Sequence, residues 1–384
     1  MRVGFALLTL FPGRVGGSET YVRGLLDAFA DGHGPERVTV LGNRHVLPAY
    51  RDAGRGPVDI HHVRSYRPGD RDWTRSLAIV GAALAPRRVD RDIPPGLDLL
   101  HYPVTIPIPR PRAPHVVTVH DLQHHDLPEF FGAAERRYRA IAYDRSARRA
   151  TLVITPSQAS REGLARVGVH QDRVEVIPLG IDHARFRPDP GPEDEAVLEQ
   201  LGLPDRFLFY PANLWPHKNH ERLVEAFARA EDSEVSLVLS GQTYGRLGAF
   251  NARARQLGVG DRVRHLGHVP SVAMAPLYRR AVALVFPSLY EGFGSPPVEA
   301  MACGCPVAAS RRGSLAEVCG EAVLEFDPEE VESIAATINR IATDSELRGD
   351  LRRMGLVRAA DFGWERAAER HRLAYERALR MAPA

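Results

Sequence analysis

The chain has little cysteine, almost no lysine and no long apolar run. Its 384 residues include three cysteines, Cys303, Cys305 and Cys319, which is too few for a disulfide scaffold and typical of a reducing compartment. No apolar run reaches the ~18 residues that a membrane-spanning helix needs. The short run at residues 3–10 lacks the cleavage site of a signal peptide. The formal net charge of +2 does not indicate nucleic acid as the main partner. We therefore expect a cytoplasmic protein.

Lysine is the rarest charged residue in the chain. Lys218 is the only lysine among 50 basic side chains, so the remaining 50 − 1 = 49 are arginines. Because arginine is favoured everywhere else, this exception indicates a position where a guanidinium does not replace a compact ammonium. The chance survival of one surface lysine is the alternative.

Short apolar runs alternate with amphipathic helical patterns along the chain. In the first half the runs lie at residues 3–8, 38–41, 99–102, 116–119, 152–155 and 174–177, and in the second half at residues 207–210, 235–239, 263–266, 282–286 and 307–309. Such alternation predicts parallel sheets covered by helices on both faces. The sequence therefore predicts the α/β class, with two doubly wound Rossmann-like domains.

Residues 180–194 separate the two series and are dense in proline, glycine and charge, which is typical of a linker. We expect an N-terminal domain at residues 1–182, a linker at residues 183–204, a C-terminal domain at residues 205–363 and a helix at residues 364–384 that packs back on the first domain. Open α/β sheets bind ligands beyond the carboxyl ends of their strands. With two such domains facing across a cleft, function is expected on the loops that follow strands.

Residues 288–299, SLYEGFGSPPVE, follow a predicted strand. Gly292 and Gly294 give a flexible loop, and Ser295 suits the N-cap of the next helix. Free backbone N–H groups at a helix N-terminus favour an anion such as phosphate. Phosphate would repel Glu291 and Glu299, so we expect these carboxylates to bind neutral sugar or ribose hydroxyls. Ordinary surface glutamates are the alternative.

Residues 210–221, YPANLWPHKNHE, follow another predicted strand and contain Lys218. A compact ammonium near the start of a helix can neutralise a diphosphate leaving group. Trp215, three residues earlier, either covers a sugar or base or packs the loop.

Residues 116–126, VVTVHDLQHHD, place His120 at the end of a predicted strand in the first domain, where it faces the cleft or is a satisfied core histidine. The set His120, His124, His125 and Asp126 suggests a metal site. Its spacing matches neither a zinc helix nor a zinc finger, and no cysteine lies nearby. We therefore expect no metal.

The loop after the first predicted strand, residues 12–21, is rich in glycine. It does not match the dinucleotide-binding pattern G-x-G-x-x-G. Gly16 and Gly17 nevertheless allow the backbone to approach a ligand closely.

With these segments assembled, the chain resembles the retaining nucleotide-sugar glycosyltransferases of family 4, the group 1 glycosyl transferases, which have the GT-B fold. The resemblance spans nearly the whole chain. It is carried in the first domain by VGGSETY, VTVHDLQHHDLPEFF, VITPSQASREGL and EVIPLGID. In the rest of the chain it is carried by YPANLWPHKNHERLVEAF, HLGHVP, the E-x7-E segment EGFGSPPVE and FGWERAAE.

The resemblance implies a role for each matching residue. His120, Lys218 and Glu291 would be catalytic: Lys218 would bind the diphosphate, Glu291 the donor-sugar hydroxyls, and His120 the sugar from the first domain. Glu299 would hold the ribose. The remaining implied donor-binding residues are Gly16, Gly17, Gly292, Phe293 and Gly294, through their backbones.

One position departs from the family pattern. Many members have an arginine some five residues before the lysine, whereas the nearby donor-site residue here is Asn213. A second cation for the diphosphate is therefore unassigned.

The implied activity is transfer of a hexose from a nucleotide-diphosphate sugar, with retention and without a metal or other cofactor. The PHKNH form favours GDP-mannose over UDP-glucose or UDP-N-acetylglucosamine. The implied acceptor is a hydroxyl of a saccharide, a lipid-linked saccharide or a natural product. The alternatives are a pyridoxal-phosphate-dependent glycan phosphorylase, a nucleotide-sugar epimerase of the same architecture and a non-catalytic sugar-nucleotide-binding module.

A cluster of arginines lies at residues 136–149. It predicts a basic helix face, which is either solvated or in contact with anionic lipid. Peripheral contact at the inner membrane face is therefore a further expectation.

Overall fold

The computed structural model describes residues 1–13, 16–111 and 114–382. It divides into two compact units. The first contains Met1–Gly180 together with Gly363–Ala384, and the second contains Ile181–Phe362. Each unit is built on its own parallel sheet.

The sheet of the first unit has seven strands in the order β3-β2-β1-β4-β5-β6-β7, and its neighbouring strands pair in parallel. The strands are β1 (Arg2–Ala6), β2 (Arg37–Gly42), β3 (Val58–His62), β4 (Leu99–Tyr102), β5 (His115–Thr118), β6 (Leu152–Thr155) and β7 (Val174–Val176). The chain order reverses between β1 and β4. The loops after such a reversal point are where doubly wound sheets form ligand sites.

In the part of this unit that the structure describes, eight α-helices lie between the strands. They are α1 (Gly17–Ala30), α2 (Val46–Ala49), α3 (Asp72–Leu84), α4 (Pro86–Asp90), α5 (Gln123–Asp126), α6 (Ala133–Arg139), α7 (Arg145–Arg149) and α8 (Gln158–Arg166). A π-helical turn, Ala140–Asp144, joins α6 to α7. Helix α1 starts directly after Gly16. Its N-terminus therefore lies beyond the carboxyl end of β1.

The sheet of the second unit has six strands in the order β10-β9-β8-β11-β12-β13, again parallel. The strands are β8 (Phe207–Pro211), β9 (Ser236–Ser240), β10 (Val263–His265), β11 (Ala283–Phe286), β12 (Val307–Ser310) and β13 (Leu324–Phe326). The helices are α9 (Asp194–Leu201), α10 (His220–Phe227), α11 (Leu247–Gln256), α12 (Met274–Arg280), α13 (Ser295–Ala302), α14 (Leu315–Cys319), α15 (Val331–Thr343) and α16 (Ser345–Ala359). The reversal point here lies between the neighbouring strands β8 and β11.

The C-terminal helix α17 (Trp364–Met381) belongs to the first unit and packs against α1. Trp364 lies in a space that two glycines leave open. A Cβ atom on Gly24 would lie 2.0 Å from the Trp364 ring, and one on Gly180 would lie 2.6 Å from it. Because these distances are below any real carbon–carbon contact, larger residues at either glycine would push α17 away.

The predicted α/β class with two Rossmann-like sheets is confirmed. The segment expected as a linker, residues 183–204, lies in the second unit and contains α9. The guanidinium of Arg279 donates to both carboxylate oxygens of Asp194 at 2.7 and 2.8 Å, which fixes the start of α9. Among the described residues no helix is long and apolar enough to cross a membrane.

Candidate active site

The loop between β11 and α13 positions Glu291. Gly294 adopts the left-handed conformation with φ of 92°, and a Cβ atom there would lie 2.5 Å from the Leu315 side chain, so only glycine fits. Glu291 is fixed through its backbone, because its carbonyl accepts hydrogen bonds from the amide of Ser314 at 3.2 Å and from the Ser314 hydroxyl at 3.0 Å. A Cβ atom on Gly313 would lie 2.7 Å from the same carbonyl oxygen.

The expected N-cap of α13 is wrong by one residue. Gly294 is the N-cap and Ser295 is the first helical residue, because the left-handed turn at Gly294 already aims the chain into the helix. Glu299 therefore stands one position deeper in α13 than the sequence indicated. It remains beyond the capping positions of the first turn.

A tight turn after β8 positions Lys218. Residues Pro216–Lys218 form a 3₁₀ turn, and Asn219 follows in the left-handed conformation with φ of 60°. The side-chain Nδ2 of Asn219 donates to the carbonyls of Pro287 at 3.2 Å and Pro328 at 2.7 Å. The hydroxyl of Tyr210 donates to the Lys218 carbonyl at 2.7 Å. These bonds tie the lysine turn to the loop after β11.

Lys218 and Glu291 meet in an ion pair. The Lys218 Nζ lies 2.5 Å from Oε1 of Glu291, and the two side chains are only 15% and 13% exposed. Nζ also lies 5.8 Å from the centre of the Phe286 ring, which makes the surroundings partly apolar. The unique ammonium of the chain therefore faces one of the two predicted carboxylates and is largely shielded from solvent.

Glu299 has a different environment. The Tyr278 hydroxyl donates to its Oε2 at 3.0 Å. Burial raises the pKa of Glu299 to about 7, although the Tyr278 hydrogen bond and the charge of Arg185 act in the opposite direction. The carboxyl is thus poised between its neutral and ionised forms near neutral pH, and a hydroxyl donor would favour the ionised form.

Two other predicted residues have structural contacts. The Oδ1 of Asn213 accepts the amide of Gln242 at 2.8 Å, which ties the loop after β8 to the loop after β9. The Phe293 ring is buried edge-on against Phe362, with centroids 5.5 Å apart. The amides of Gly292, Phe293 and Gly294 precede or open α13, as the sequence indicated.

Trp215 stacks on Tyr244. The two rings are 5.6 Å apart and nearly parallel at 12°, and the residues remain 41% and 53% exposed. Packing within the loops after β8 and β9 therefore covers one face of Trp215.

In the first unit, His120 follows β5 at the edge of the sheet that carries the reversal point. Its Nε2 lies 2.8 Å from the Pro103 carbonyl oxygen. A carbonyl only accepts, so Nε2 carries the hydrogen and Nδ1 carries a lone pair. Burial lowers the pKa of His120 below its ordinary value, and the imidazole is therefore neutral at pH 7. The Tyr21 ring meets the His120 ring edge-on at 4.9 Å.

The glycine loop ends at Gly16 and Gly17, the N-cap and first residue of α1. Among the described residues, nothing lies within 4 Å of a Cβ atom placed at either position. Arg14 and Val15, which precede it, lie outside the described residues. The N-terminus of a 14-residue helix is suited to an anionic group.

Of the four residues that suggested a metal site, the structure brings His124 and His125 together, with Asp144 as their third neighbour. His124 and His125 donate from Nε2 to the two oxygens of Asp144, at 3.2 and 2.9 Å. Asp126 pairs with Arg166 at 2.5 Å. Arg148 lines the same cavity, of about 560 Å³, as His125 and Asp144. His124, His125 and Asp144 offer ligand atoms within 4.8 Å of one another, a grouping that could hold a metal ion. The expected absence of a metal stays a prediction.

The basic face forms as expected on α6, the π-helical turn and α7. Ile141 and Tyr138 are 55% and 46% exposed on the same helix. The exposed arginines around them are Arg136, Arg137, Arg145, Arg148 and Arg149. Contact of this face with a membrane surface stays a prediction.

Sequence reasoning missed the residues that hold the site together. Tyr278, Ser314 and Arg185 are remote in sequence from the motifs they support. Only the fold brings them to Glu299 and Glu291, and no local spacing indicates such a contact.

Two parallel Rossmann-like sheets, each with polar loops at its reversal point, are the architecture of the GT-B fold. Residues 15–185 match the family model Glycosyltransferase Family 4, and residues 194–356 match Glycosyl transferases group 1. The chain is 31% identical over 290 residues to O-antigen chain mannosyltransferase B of Escherichia coli, covering 73% of this chain and 75% of that protein. The chain belongs to the group 1, family 4 glycosyltransferases.

Two further comparisons agree. The chain is 29% identical to the MMP alpha-(1->4)-mannosyltransferase of Mycolicibacterium hassiacum over 328 residues, which cover 83% of this chain and 73% of that protein. The crystal structure of Anabaena HepE in complex with UDP and glucose superimposes with a TM-score of 0.75 at 21% identity, covering 98% of this chain and 100% of that one. At 21% identity, the similarity to HepE supports a shared fold and nothing beyond it.

Proposed function

We propose that this glycosyltransferase moves a hexose from a nucleotide-diphosphate sugar to an acceptor hydroxyl, with retention at the anomeric carbon and without a metal. The shielded ion pair between Lys218 and Glu291 carries the proposal. It brings together, on the two loops flanking the β8/β11 reversal point, a cation for a diphosphate and a carboxylate for sugar hydroxyls.

Lys218 is the diphosphate ligand in this proposal. Its ammonium exchanges Glu291 for phosphate oxygens when the donor binds. The backbone amides of residues 292–294 at the start of α13 add further donors to the same anion. Glu291 then accepts hydrogen bonds from the sugar hydroxyls, and Glu299 accepts them from the ribose. His120, Gly16 and Gly17 are the contributions of the first unit.

The reaction separates charge, and the site is built to stabilise it. The bond between C1 and the phosphate oxygen breaks as C1 gains oxocarbenium character, and negative charge grows on the diphosphate. Lys218 and the amides stabilise that charge, and one such positioned donor is typically worth about 10²–10³ in rate. The acceptor oxygen attacks C1 from the same face. Its proton passes to the leaving phosphate oxygen, so the atoms balance without a separate protein base.

GDP-mannose is the favoured donor. The PHKNH form supports it, and so do the names of the two relatives above, which are mannosyltransferases. UDP-glucose and UDP-N-acetylglucosamine are the donors to test beside it. A saccharide, a lipid-linked saccharide or a natural product remains the proposed acceptor class.

A thermal-shift panel tests the donor. GDP, UDP and ADP, and the nucleotide sugars derived from each, are added separately to the purified protein. The nucleotide that binds the native state raises the melting temperature by mass action, by an amount that grows with its concentration over Kd.

Turnover of the selected donor then tests the chemistry. Lys218→Ala and Glu291→Ala should each lower turnover at least ~100-fold while retaining a cooperative melting transition. A variant of either residue with near-normal turnover contradicts the assignment. Turnover to an isomeric donor without an acceptor would instead identify an epimerase.

A further inference from the structure

A chain of five buried side chains runs through the first unit. It joins α17 to α1 and to the ends of β4 and β5, and its members are Tyr375, His101, Thr118, Tyr21 and His371. The Tyr375 hydroxyl lies 2.8 Å from Nδ1 of His101, and Nε2 of His101 lies 2.8 Å from Oγ1 of Thr118. The Tyr21 hydroxyl lies 2.9 Å from the same Oγ1 and 2.7 Å from Nε2 of His371.

The donor and the acceptor of every hydrogen bond in this chain follow from the partner of His371 at one end. Nδ1 of His371 lies 2.7 Å from the Ala367 carbonyl, which only accepts, so Nδ1 carries the hydrogen and Nε2 accepts from Tyr21. The hydroxyl hydrogen of Tyr21 is then used, and Thr118 must donate to the Tyr21 oxygen. Oγ1 of Thr118 in turn accepts from Nε2 of His101. Nδ1 of His101 accepts from Tyr375.

This assignment requires both histidines to be neutral. Burial lowers the pKa of His371 to about 4 and holds the pKa of His101 well below its ordinary value. At pH 7 each therefore offers one donor and one acceptor, which is what the chain of bonds requires. All five side chains are at most 2% exposed, so water does not compete for these bonds.

The chain of bonds runs beside His120. His101 and Thr118 link β4 to β5 two residues before Pro103 and His120, which are themselves joined by the hydrogen bond from Nε2. The Tyr21 ring also contacts His120: the two rings meet edge-on, with their centres 4.9 Å apart. One side of the His120 ring is thus packed by Tyr21, whose hydroxyl is bonded to His371 of α17.

We propose that Tyr375, His101, Thr118, Tyr21 and His371 form a positioning chain through which the C-terminal helix fixes His120 and the N-terminal turn of α1. The five are positioning residues, because each acts through another group. The consequence for catalysis rests on the proposed function. The geometric consequence for His120 does not.

The first test needs no variant. Side-chain nitrogen NMR of the full-length protein, labelled with ¹⁵N-histidine, reports the tautomer of each imidazole at pH 7. The expected result is hydrogen on Nδ1 of His371 and on Nε2 of both His101 and His120. Hydrogen on Nε2 of His371, or a protonated His371, overturns the assigned direction.

The second test breaks one link. His371→Phe keeps a ring but removes the acceptor for Tyr21, whereas His371→Gln restores an acceptor oxygen. The Phe variant should shift the His120 resonances and lower kcat about tenfold, as a small misplacement of a catalytic group does, with little change in donor KM. In the Gln variant the His120 resonances should return most of the way to their wild-type positions, and kcat should recover most of its wild-type value. Val38→Ala, a buried β2 position outside the chain, controls for lost stability.

The outcomes separate the two proposals. His120 resonances that stay at their wild-type positions in His371→Phe, or that move equally in Val38→Ala, refute the positioning chain. A wild-type protein that turns over no donor refutes the proposed function. In that event the NMR result still decides whether α17 positions His120.

Discussion

Replacing Glu291 by glutamine should have opposite effects on ligand binding and on catalysis. In the free protein the Glu291 carboxylate is paired with the Lys218 ammonium, with Oε1 2.5 Å from Nζ. A diphosphate that binds Lys218 has to displace this carboxylate and then remain beside its charge. Glutamine has the same shape without the charge, so it frees the ammonium and removes the repulsion. Glu291→Gln should therefore bind the free nucleoside diphosphate more tightly than the wild type.

The magnitude follows from Coulomb's law. A carboxylate about 6 Å from a phosphate charge costs about 3 kcal/mol at an effective dielectric constant of 20. Both side chains of the pair retain some solvent contact, 15% and 13%, and salt screens part of the interaction. About half of the cost, roughly 1.5 kcal/mol, corresponds to an affinity gain of about tenfold. Turnover should fall ~100-fold, because the charge near C1 is lost in the transition state.

Calorimetric titration of GDP and UDP, beside turnover of the matching sugar nucleotide, measures both effects. Glu225→Gln removes the same charge from α10, where Glu225 pairs with Arg229, and should leave both quantities near the wild type. Lys218→Arg should not restore the activity lost in Lys218→Ala. Weaker diphosphate binding by Glu291→Gln, or unchanged turnover, refutes the role given to the pair.

Two further predictions concern buried titratable groups. The pKa of Glu299 rises to about 7 from 4.5, so its carboxyl destabilises the fold as pH rises through that window. Glu299→Gln should therefore raise the free energy of unfolding at pH 8 by up to about 3 kcal/mol and change it little at pH 5, as denaturant unfolding at both pH values measures. An equal gain at both pH values would contradict this. The pKa of His371 is lowered from 6.5 to about 4, so its stabilisation is complete above pH 6.5 and is lost as pH falls toward 4. Between pH 6.5 and pH 5 the loss in the free energy of unfolding is about 2 kcal/mol. His371→Gln should therefore show a flatter dependence of the free energy of unfolding on pH than the wild type. Parallel dependences for the two proteins would contradict this prediction.

The alternation of apolar runs was sufficient to predict the sheets, because parallel strands buried on both faces leave a continuous apolar signal. Two strands, β3 and β13, were not predicted, because they lack a continuous apolar run. β3, Val58–His62, has only its first residue buried, and its remaining positions are polar or half-exposed. β13, Leu324–Phe326, has a glutamate at its centre and only its last residue is buried.

The segment at residues 183–204 shows why turn residues alone do not define a linker. Proline and glycine mark where the chain changes direction, and they do not show what the segment packs against. Helix α9 is fixed by Arg279, which is 85 residues away from Asp194. That pair became visible only in the fold.

Individual site residues could be predicted where the chemistry is local. Lys218 was conspicuous as the single lysine, and Glu291 and Glu299 as carboxylates beside a helix start. Their mutual arrangement could not be predicted, because it depends on Tyr278, Gly313 and other residues of remote elements. Composition and spacing indicate the candidate groups, whereas the protonation state of Glu299 and the partner of Lys218 follow from packing.

Two equally shielded ion pairs of the second unit show why one position keeps a lysine in an arginine-rich chain. Arg279 and Asp194 are 12% and 13% exposed and are joined by parallel hydrogen bonds from the guanidinium fork, a geometry that is rigid and hard to exchange. Lys218 and Glu291 are shielded to the same degree but share a single contact from a compact ammonium. A single contact can be exchanged for phosphate oxygens without rebuilding the loop. The structural pair therefore uses arginine, and the pair that opens for the donor in the proposed function uses lysine.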